Sequence, residues 1–153
     1  MNTARRYALL LGVAALVFLA DQVSKALVVA SLRGRPPIQL LGGVVWLTYD
    51  ENRGAAFSIL QAGGYLFQVV AVVVAVGILA LYPRIQGRAP AARLGNALLL
   101  GGALGNLADR VRQGYVVDFI DLRWWPVFNV ADSAVVIGVL LIVAHGVWSE
   151  RRA

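Results

Sequence analysis

Four long apolar segments, separated by polar connections, dominate the pattern of this chain. We place helices at about 7–30, 63–82, 91–108 and 133–149, because a membrane-spanning helix needs about 20 mostly apolar residues. Pro83 follows the second segment and is expected to end that helix, because proline lacks an amide N–H. The pattern predicts one integral membrane domain over residues 1–153, with four transmembrane helices.

The first segment has an alternative interpretation as a cleaved secretory signal, because Arg5 and Arg6 precede its apolar core. No small-x-small cleavage site follows that core, and the apolar pattern resumes after Lys25. We therefore interpret the segment as a retained membrane anchor.

The basic residues predict the orientation of the helices. With a cytoplasmic N-terminus, the short inner connections hold slightly more arginines than the long outer loops, which we place at about 31–62 and 109–132. Of the acidic residues, only Glu150 falls on the inner side. Both termini are therefore expected in the cytoplasm.

The first outer loop contains signals for a small sheet. Residues 44–49 are rich in β-branched and aromatic side chains, and a turn signal follows at residues 52–54. A second apolar stretch covers residues 55–60. We predict a small extracytoplasmic sheet, formed largely from this loop, that could hold an extended substrate by strand pairing.

In this topology the unusual polar residues of the chain gather at the outer membrane surface. Asp21 and Lys25 are four residues apart on one helix face, toward the outer leaflet. Charged residues inside a membrane are functional candidates. The others in this layer are Asn52, Arg53, Asn106, Asp109, Arg110, Asp118, Asn129 and Asp132.

Several of these residues also have a purely structural interpretation. Asp21 and Lys25 could be a buried ion pair that fixes helix packing, which we weigh equally with a functional role. Asp109 and Arg110, taken alone, are more typical of a solvated helix end. Asn129 could simply cap the fourth helix.

Composition supports a membrane protein and narrows the chemistry. Of the 153 residues, 59% are hydrophobic and 14% charged, whereas a soluble domain has about a quarter charged residues. The net charge is +6, but the basic residues form no long run, so nucleic acid is not a predicted partner. Gly101 and Gly105 form a G-x-x-x-G pattern that predicts close helix packing.

Carboxylates are the strongest catalytic groups that this sequence offers. It has no cysteine and a single histidine, His145, which we take as structural because no metal-ligand spacing surrounds it. Two nearby carboxylates can share a proton, activate water and hydrolyse an amide without a cofactor. Spacing alone does not choose Asp118 over Asp121 or Asp109 as a partner of Asp132.

Five segments together resemble the lipoprotein signal peptidase family, also called signal peptidase II. They occur in the family's order and span nearly the whole chain. The matching segments are residues 21–25 (DQVSK), 52–58 (NRGAAFS), 102–110 (GALGNLADR), 116–119 (VVDF) and 128–133 (FNVADS).

The resemblance implies an aspartyl endopeptidase of the bacterial inner membrane in which Asp118 and Asp132 are the catalytic pair. Asp21 and Lys25 match a motif that supports the architecture near the site. Arg53 stands where many relatives are expected to have a small polar residue. The residues that match polar positions around the active site are Asn52, Asn106, Asp109, Arg110 and Asn129.

The implied substrate is a prolipoprotein that carries diacylglycerol on its lipobox cysteine, with cleavage just before that cysteine. No metal or organic cofactor is implied, and membrane lipid is the remaining partner. A closed four-helix unit could work as a monomer.

Two other functions remain open from the residues themselves. A small transporter or channel would explain charges inside a helix, such as Asp21 and Lys25. It would also need polar groups toward the inner leaflet, where helix two has only Gln68 and helix four only His145. A non-catalytic assembly factor would behave unchanged after both aspartates are replaced.

Overall fold

The computed structural model of the protein describes residues 3–54, 63–85 and 90–150. Within them the fold is mostly helical, with a small antiparallel sheet. In chain order the elements are α1 (Thr3–Leu32), β1 (Ile38–Leu40), a 3-10 turn (Leu41–Gly43), β2 (Val45–Asn52), α2 (Gly63–Ile85), α3 (Pro90–Gln113), β3 (Val116–Asp121) and α4 (Val130–Glu150).

Helix α2 continues through Pro83 to Ile85, so it does not end at residue 82 as predicted. Proline has no N–H to donate to the carbonyl four residues earlier, which belongs to Leu79. The hydroxyl of Tyr7, on α1, donates to that Leu79 carbonyl at 3.4 Å. A neighbouring helix therefore supplies a donor where the proline removes one.

Helix α3 has the largest shift at a single end, because it continues beyond residue 108 to Gln113. It contacts α1, α2 and α4, and its buried residues are distributed around the helix: Ala92, Gly95, Asn96, Ala97, Leu100, Gly101, Gly102, Gly105 and Asp109. A helix covered by protein on several sides does not need a continuous apolar surface, which explains its weak apolar signal.

Two of the described helical segments are long and apolar enough to cross a membrane, Tyr7–Leu32 and Val130–Ser149. A shorter apolar segment covers Leu66–Tyr82. Their outward faces carry many exposed leucines and valines, such as Leu16 and Leu140. This distribution suits a surface that faces lipid rather than water.

Glycines allow the helix backbones to approach closely. A Cβ atom at Gly101 would lie 2.6 Å from the carbonyl oxygen of Ala14, and one at Gly102 would lie 2.5 Å from that of Ala131. At Gly105 it would lie 2.7 Å from the Asp21 carboxylate. The packing role predicted for Gly101 and Gly105 is confirmed.

The sheet has the order β1-β2-β3, with both pairs antiparallel. Strands β1 and β2 come from the predicted first outer loop, as expected, whereas β3 lies in the predicted second loop and was not foreseen as a strand. Val117 and Phe119 of β3 pack against Val28 and Leu32 at the end of α1. The predicted apolar stretch at residues 55–60 lies outside the described residues.

Candidate active site

Asp118 lies on β3 with its side chain turned into the protein, where only 1% of the residue is exposed. The side-chain amide of Asn129 donates to Asp118 Oδ1 at 2.6 Å, and that of Asn52 donates to Oδ2 at 2.8 Å. Both carboxylate oxygens are therefore held by amides from other elements. Strand β3 is covered on both faces here, because Val117 and Phe119 on either side of Asp118 are buried as well.

Asn52 ends β2, and a tight turn fixes its side chain. The backbone N–H of Gly54 donates to Asn52 Oδ1 at 2.9 Å. Gly54 has φ +73°, a conformation that glycine adopts at no steric cost. With its oxygen engaged in the turn, Asn52 directs its amide N–H toward Asp118.

Asp132 lies in the first turn of α4, and Asn129 caps that helix. The backbone N–H of Asp132 donates to Asn129 Oδ1 at 2.8 Å, and the backbone N–H of Asn129 donates to Asp132 Oδ2 at 3.2 Å. This reciprocal arrangement is a capping box with asparagine and aspartate. The predicted cap is confirmed, and the same asparagine also bonds to Asp118.

Asn106, on α3, joins the two halves of the site. Its Nδ2 donates to Asp132 Oδ1 at 2.7 Å. Its Oδ1 accepts from Asn129 Nδ2 and from Lys25 Nζ, each at 3.1 Å. One amide therefore connects the aspartates to a buried cation on α1.

Lys25 lies between two carboxylates in the interior. Its Nζ is 2.8 Å from Asp21 Oδ2 and 2.9 Å from Asp109 Oδ2. The three residues are 3%, 0% and 4% exposed in the order Lys25, Asp21, Asp109. The ion pair predicted on α1 is present with a second acid, and the interpretation of Asp109 as a solvated helix end is wrong.

The two acids of this triad also hold backbone beside the aspartates of the site. The N–H of Ala131 donates to Asp21 Oδ1 at 3.0 Å, and the N–H of Val117 donates to Asp109 Oδ2 at 3.2 Å. Ala131 directly precedes Asp132, and Val117 directly precedes Asp118. The buried carboxylates of Asp21 and Asp109 therefore position the two chain segments that carry Asp132 and Asp118.

Gln22 was not singled out from the sequence, although it lies in one of the matching segments. Its amide nitrogen is within 3.1 Å of Asp21 Oδ2 and 3.0 Å of Asp109 Oδ1. Its position next to Asp21 was the only sequence signal for a role at the site, because the sequence does not show whether a glutamine side chain is buried.

The electrostatic surroundings favour a proton on the site. The pKa of Asp118 is raised to about 6, chiefly by burial and also by the negative charge of Asp132. The hydrogen bonds from Asn52 and Asn129 and the charge of Lys25 act in the opposite direction. Two such carboxylates are linked in their titration, so the pair binds and releases protons jointly.

Arg110 brings a second cation to the site from α3. Its guanidinium lies 5.1 Å from the centre of the Phe67 ring on α2, and its charge interacts with Asp132 and Asp118. A cation over an aromatic face is held in place while its charge still acts on its surroundings.

Asp121 and Arg53 lie apart from this network. The Asp121 carboxylate accepts the backbone N–H of Arg123 at 2.7 Å and pairs with its guanidinium at 3.5 Å. Arg53 is exposed, pairs with Glu51 at 2.9 Å and lies over the Tyr115 ring at 5.6 Å.

An apolar cavity of about 370 Å³ opens beside Asp132. Its walls include the exposed Trp124 and Trp125 and, on α4, Val136 and Ile137. Across residues 3–54, 63–85 and 90–150, no group of three or more His, Cys, Asp or Glu side chains is placed to hold a metal ion. The site thus combines a paired carboxylate with an adjacent apolar pocket.

Comparison with known proteins gives one consistent result. The family model described as signal peptidase (SPase) II matches residues 13–148. A lipoprotein signal peptidase of Halothermothrix orenii is 46% identical over 137 residues, covering 90% of this chain and 93% of the relative. One of Moorella thermoacetica is 48% identical over 129 residues, covering 84% and 86%.

Solved structures agree with the sequence comparison. A protein described as a bacterial membrane enzyme, solved by the in meso method, superposes with a TM-score of 0.78 at 30% identity, covering 86% of this chain and 88% of the other. A second such structure has a TM-score of 0.75 at 31% identity, covering 86% and 83%.

Proposed function

The chain belongs to the signal peptidase II family, and from that premise we propose that it cleaves signal peptides from diacylglyceryl-modified prolipoproteins with a water activated by Asp118 and Asp132. It is an aspartic peptidase of this family, and prolipoproteins are its substrates. The proposed cleavage lies just before the cysteine that carries the diacylglyceryl group, and the proposed catalytic pair is Asp118 and Asp132.

The observation that carries the proposal is the bridge formed by Asn129. One side chain bonds Asp118 through its Nδ2 and the backbone of Asp132 through its Oδ1. This arrangement supports a pair of carboxylates fixed relative to each other before substrate binds, as general acid–base catalysis requires.

The reaction needs one proton shared by the pair. The ionised aspartate accepts a proton from water while the oxygen of that water bonds to the scissile carbonyl carbon. The protonated aspartate donates to the carbonyl oxygen and stabilises the tetrahedral intermediate. The C–N bond then breaks as the nitrogen of the leaving peptide takes up the proton that came from water. As the carbonyl reforms, its hydroxyl returns a proton to the other aspartate, and the pair is again in its starting state with one proton.

The remaining site residues are proposed to position these groups. Asn52 orients Asp118, and Asn106 orients Asp132. Asp21 and Asp109 hold the backbone that precedes these aspartates, and Lys25 pairs with both acids. Arg110 is close enough to add positive charge beside the pair, and this favours the oxyanion of the intermediate. None of these steps calls for a metal or an organic cofactor.

The substrate is proposed to lie along the sheet, with its lipid in the membrane. The cavity beside Asp132 offers apolar walls for the part of the substrate next to the scissile bond. The exposed Trp124 and Trp125 suit the membrane interface, where aromatic rings are enriched. A lipidated cysteine could then reach the aspartates without leaving the bilayer.

We further propose four membrane-spanning helices in the bacterial inner membrane, with both termini inside and the aspartates at the outer face. The two long apolar helices support this arrangement, as does the central place of α3 among its neighbours. The higher density of arginines in the short inner connections supports the orientation. A single chain contributes every residue of the site, which supports action as a monomer.

The test is processing of a lipidated prolipoprotein by purified variants in detergent or nanodiscs. Asp118→Asn and Asp132→Asn should each abolish cleavage while the protein keeps its helical circular dichroism. Asp121→Asn is the matched control, because this aspartate bonds only to Arg123 among its described contacts, and it should retain activity. Full activity of either dyad variant would rule out the pair.

The transporter interpretation loses its main motivation. Asp21 and Lys25 are engaged with Asp109, Asn106 and the backbone of Ala131. Charges so fully bonded are poor candidates for a transport pathway, which needs groups that exchange partners with a moving ion.

A further inference from the structure

A second large groove lies between α1 and α3, away from the aspartates. It encloses about 710 Å³ and is lined almost entirely by apolar side chains. Its walls include Leu11, Ala15 and Phe18 on α1 and Leu104 and Val111 on α3. Neither aspartate of the site, nor Asn52, Asn106 or Asn129, lines it.

One cation ends this groove. Arg112, in the last turn of α3, belongs to the lining and is exposed. Its Nη1 donates to Gln22 Oε1 at 2.7 Å, and among the described residues no carboxylate lies within the 4 Å of an ion pair. A guanidinium has five N–H donors in a planar fork that suits phosphate, so most of its donors are available to a ligand.

We propose that this groove binds an anionic glycerophospholipid, with an acyl chain along α1 and α3 and the phosphate at Arg112. The proposal rests on the membrane arrangement given above but not on the peptidase chemistry. An apolar groove on a membrane-spanning surface is filled by whatever apolar chain surrounds it, and here that is lipid.

Charge decides which lipid is favoured. Arg112 is held by Gln22 in one direction, so its charge is fixed at the end of the groove rather than moving freely in solvent. The planar guanidinium of Arg112 can bond the phosphate of a lipid whose acyl chain lies in the groove. A zwitterionic lipid offers the same chains, but its own cation opposes Arg112.

The groove is distinct from the substrate pocket. The cavity that includes Asp132 is formed by the segment after β3 and by α4, whereas this groove is formed by α1 and α3 alone. The lipid is therefore a bound partner of the protein and not the diacylglyceryl group under cleavage. Gln22, which holds Arg112, also contacts Asp21 and Asp109, so the head group lies next to the buried triad.

Native mass spectrometry of the full chain in detergent, without substrate, tests the proposal. The protein is titrated with phosphatidylglycerol and, separately, with phosphatidylcholine of the same chains. We expect phosphatidylglycerol to bind with at least about tenfold higher affinity, in keeping with a charge-assisted contact to phosphate. Equal binding of the two lipids would overturn the proposal.

Two pairs of matched variants locate the site. Arg112→Gln should lose the preference, while Arg35→Gln removes an equal charge from an exposed turn and should keep it. Ala15→Trp fills the groove and should lower binding of both lipids, while Ala20→Trp adds the same ring at another exposed position of α1 and should not. If the two variants of a pair changed lipid binding equally, the groove would not be the lipid site.

Two further variants keep the outcome interpretable. Arg112→Lys keeps the charge and should keep most of the preference, which separates loss of charge from misfolding. Asp118→Asn should bind phosphatidylglycerol as the unchanged protein does. If Asp118→Asn cleaves no substrate but still binds phosphatidylglycerol, lipid binding is independent of the peptidase chemistry. If an enzyme that cleaves substrate shows no phosphatidylglycerol binding, the lipid proposal fails while the peptidase function stands.

Discussion

Asn129 and Asp132 cap each other at the start of α4, each accepting the backbone N–H of the other through its side chain. The Asn129 amide nitrogen remains free for other acceptors and bonds to Asp118 at 2.6 Å. A single side chain thus caps the start of a helix and joins the two carboxylates of the site, so its structural role and its proposed catalytic role can be separated by substitution.

Replacing Asn129 tests these two roles. Asn129→Ser keeps an oxygen that can cap α4 but removes the donor to Asp118, whereas Asn129→Ala removes both. Loss of the cap should cost about 1 kcal/mol of stability in the alanine variant only. Loss of the charge-assisted hydrogen bond, about 1.5–3 kcal/mol, should lower kcat/KM about 10- to 100-fold in both variants.

The pH profile provides the second readout for Asn129. Its hydrogen bond lowers the pKa of Asp118, so the alkaline limb of activity, where the pair loses its shared proton, should move to higher pH in both variants. Apparent melting temperature and a pH series of kcat/KM measure the two effects. A serine variant with normal activity and an unmoved profile would contradict the bridging role.

The raised pKa of Asp118 predicts how stability changes with pH. Because its folded pKa is about 6 against an ordinary 3.8, the native state binds this proton more tightly than the unfolded state. The stabilising contribution is therefore complete below about pH 4 and is lost as pH rises through about 6.

Asp118→Asn removes this titration. Relative to the unchanged protein, its apparent melting temperature should improve steadily between pH 4 and pH 7, on top of a constant offset from altered hydrogen bonding. Asp121→Asn, which replaces an aspartate of the same strand outside the Asn52 and Asn129 contacts, serves as the control over the same range. Parallel curves for Asp118→Asn would refute the linkage.

The buried triad makes Lys25 a strong determinant of stability. Lys25→Met leaves the carboxylates of Asp21 and Asp109 buried without their cation, which costs about 3–5 kcal/mol when one partner of a buried pair is removed. Expression level and apparent melting temperature should both fall sharply.

A compensating variant separates charge from shape at the same position. Adding Asp21→Asn and Asp109→Asn to Lys25→Met removes the stranded charges while leaving side-chain oxygens that accept the N–H groups of Ala131 and Val117. The combined variant should regain much of the lost melting temperature. If it melts no higher than Lys25→Met, uncompensated charge is not the cause.

Much of the helical architecture could be predicted from apolar segments, because lipid-facing helices must be apolar along their length. The least predictable helix was α3. Protein covers it on several sides, so Asn96 and Asp109 are buried and weaken its apolar signal. Its extension to Gln113 followed from contacts that no local pattern records.

The candidate site shows the same limit. Its residue types, and the gathering of these residues in one layer, could be predicted from spacing and topology. The choice of Asp118 over Asp121 could not, because both lie on β3. They differ in burial and in their partners, since Asp118 bonds the amides of Asn52 and Asn129 while Asp121 bonds Arg123. Those contacts join residues far apart in the chain, which periodicity does not detect.

The close contact of α3 with α4 predicts that a single methyl group will affect catalysis. In Gly102→Ala the new Cβ would lie 2.5 Å from the carbonyl oxygen of Ala131, and this backbone atom cannot turn away as a flexible side chain could. Because Ala131 precedes Asp132, α4 must shift at the aspartate, and a displacement of about 1 Å can cost about 100-fold in rate.

Gly77→Ala is the matched control, since nothing lies within 4 Å of its Cβ and alanine is favoured over glycine in a helix by about 0.5–1 kcal/mol. Cleavage assays and melting curves should show Gly102→Ala impaired and Gly77→Ala at least as stable and active as the unchanged protein; equal activity of the two variants would mean that the α3–α4 contact does not position Asp132.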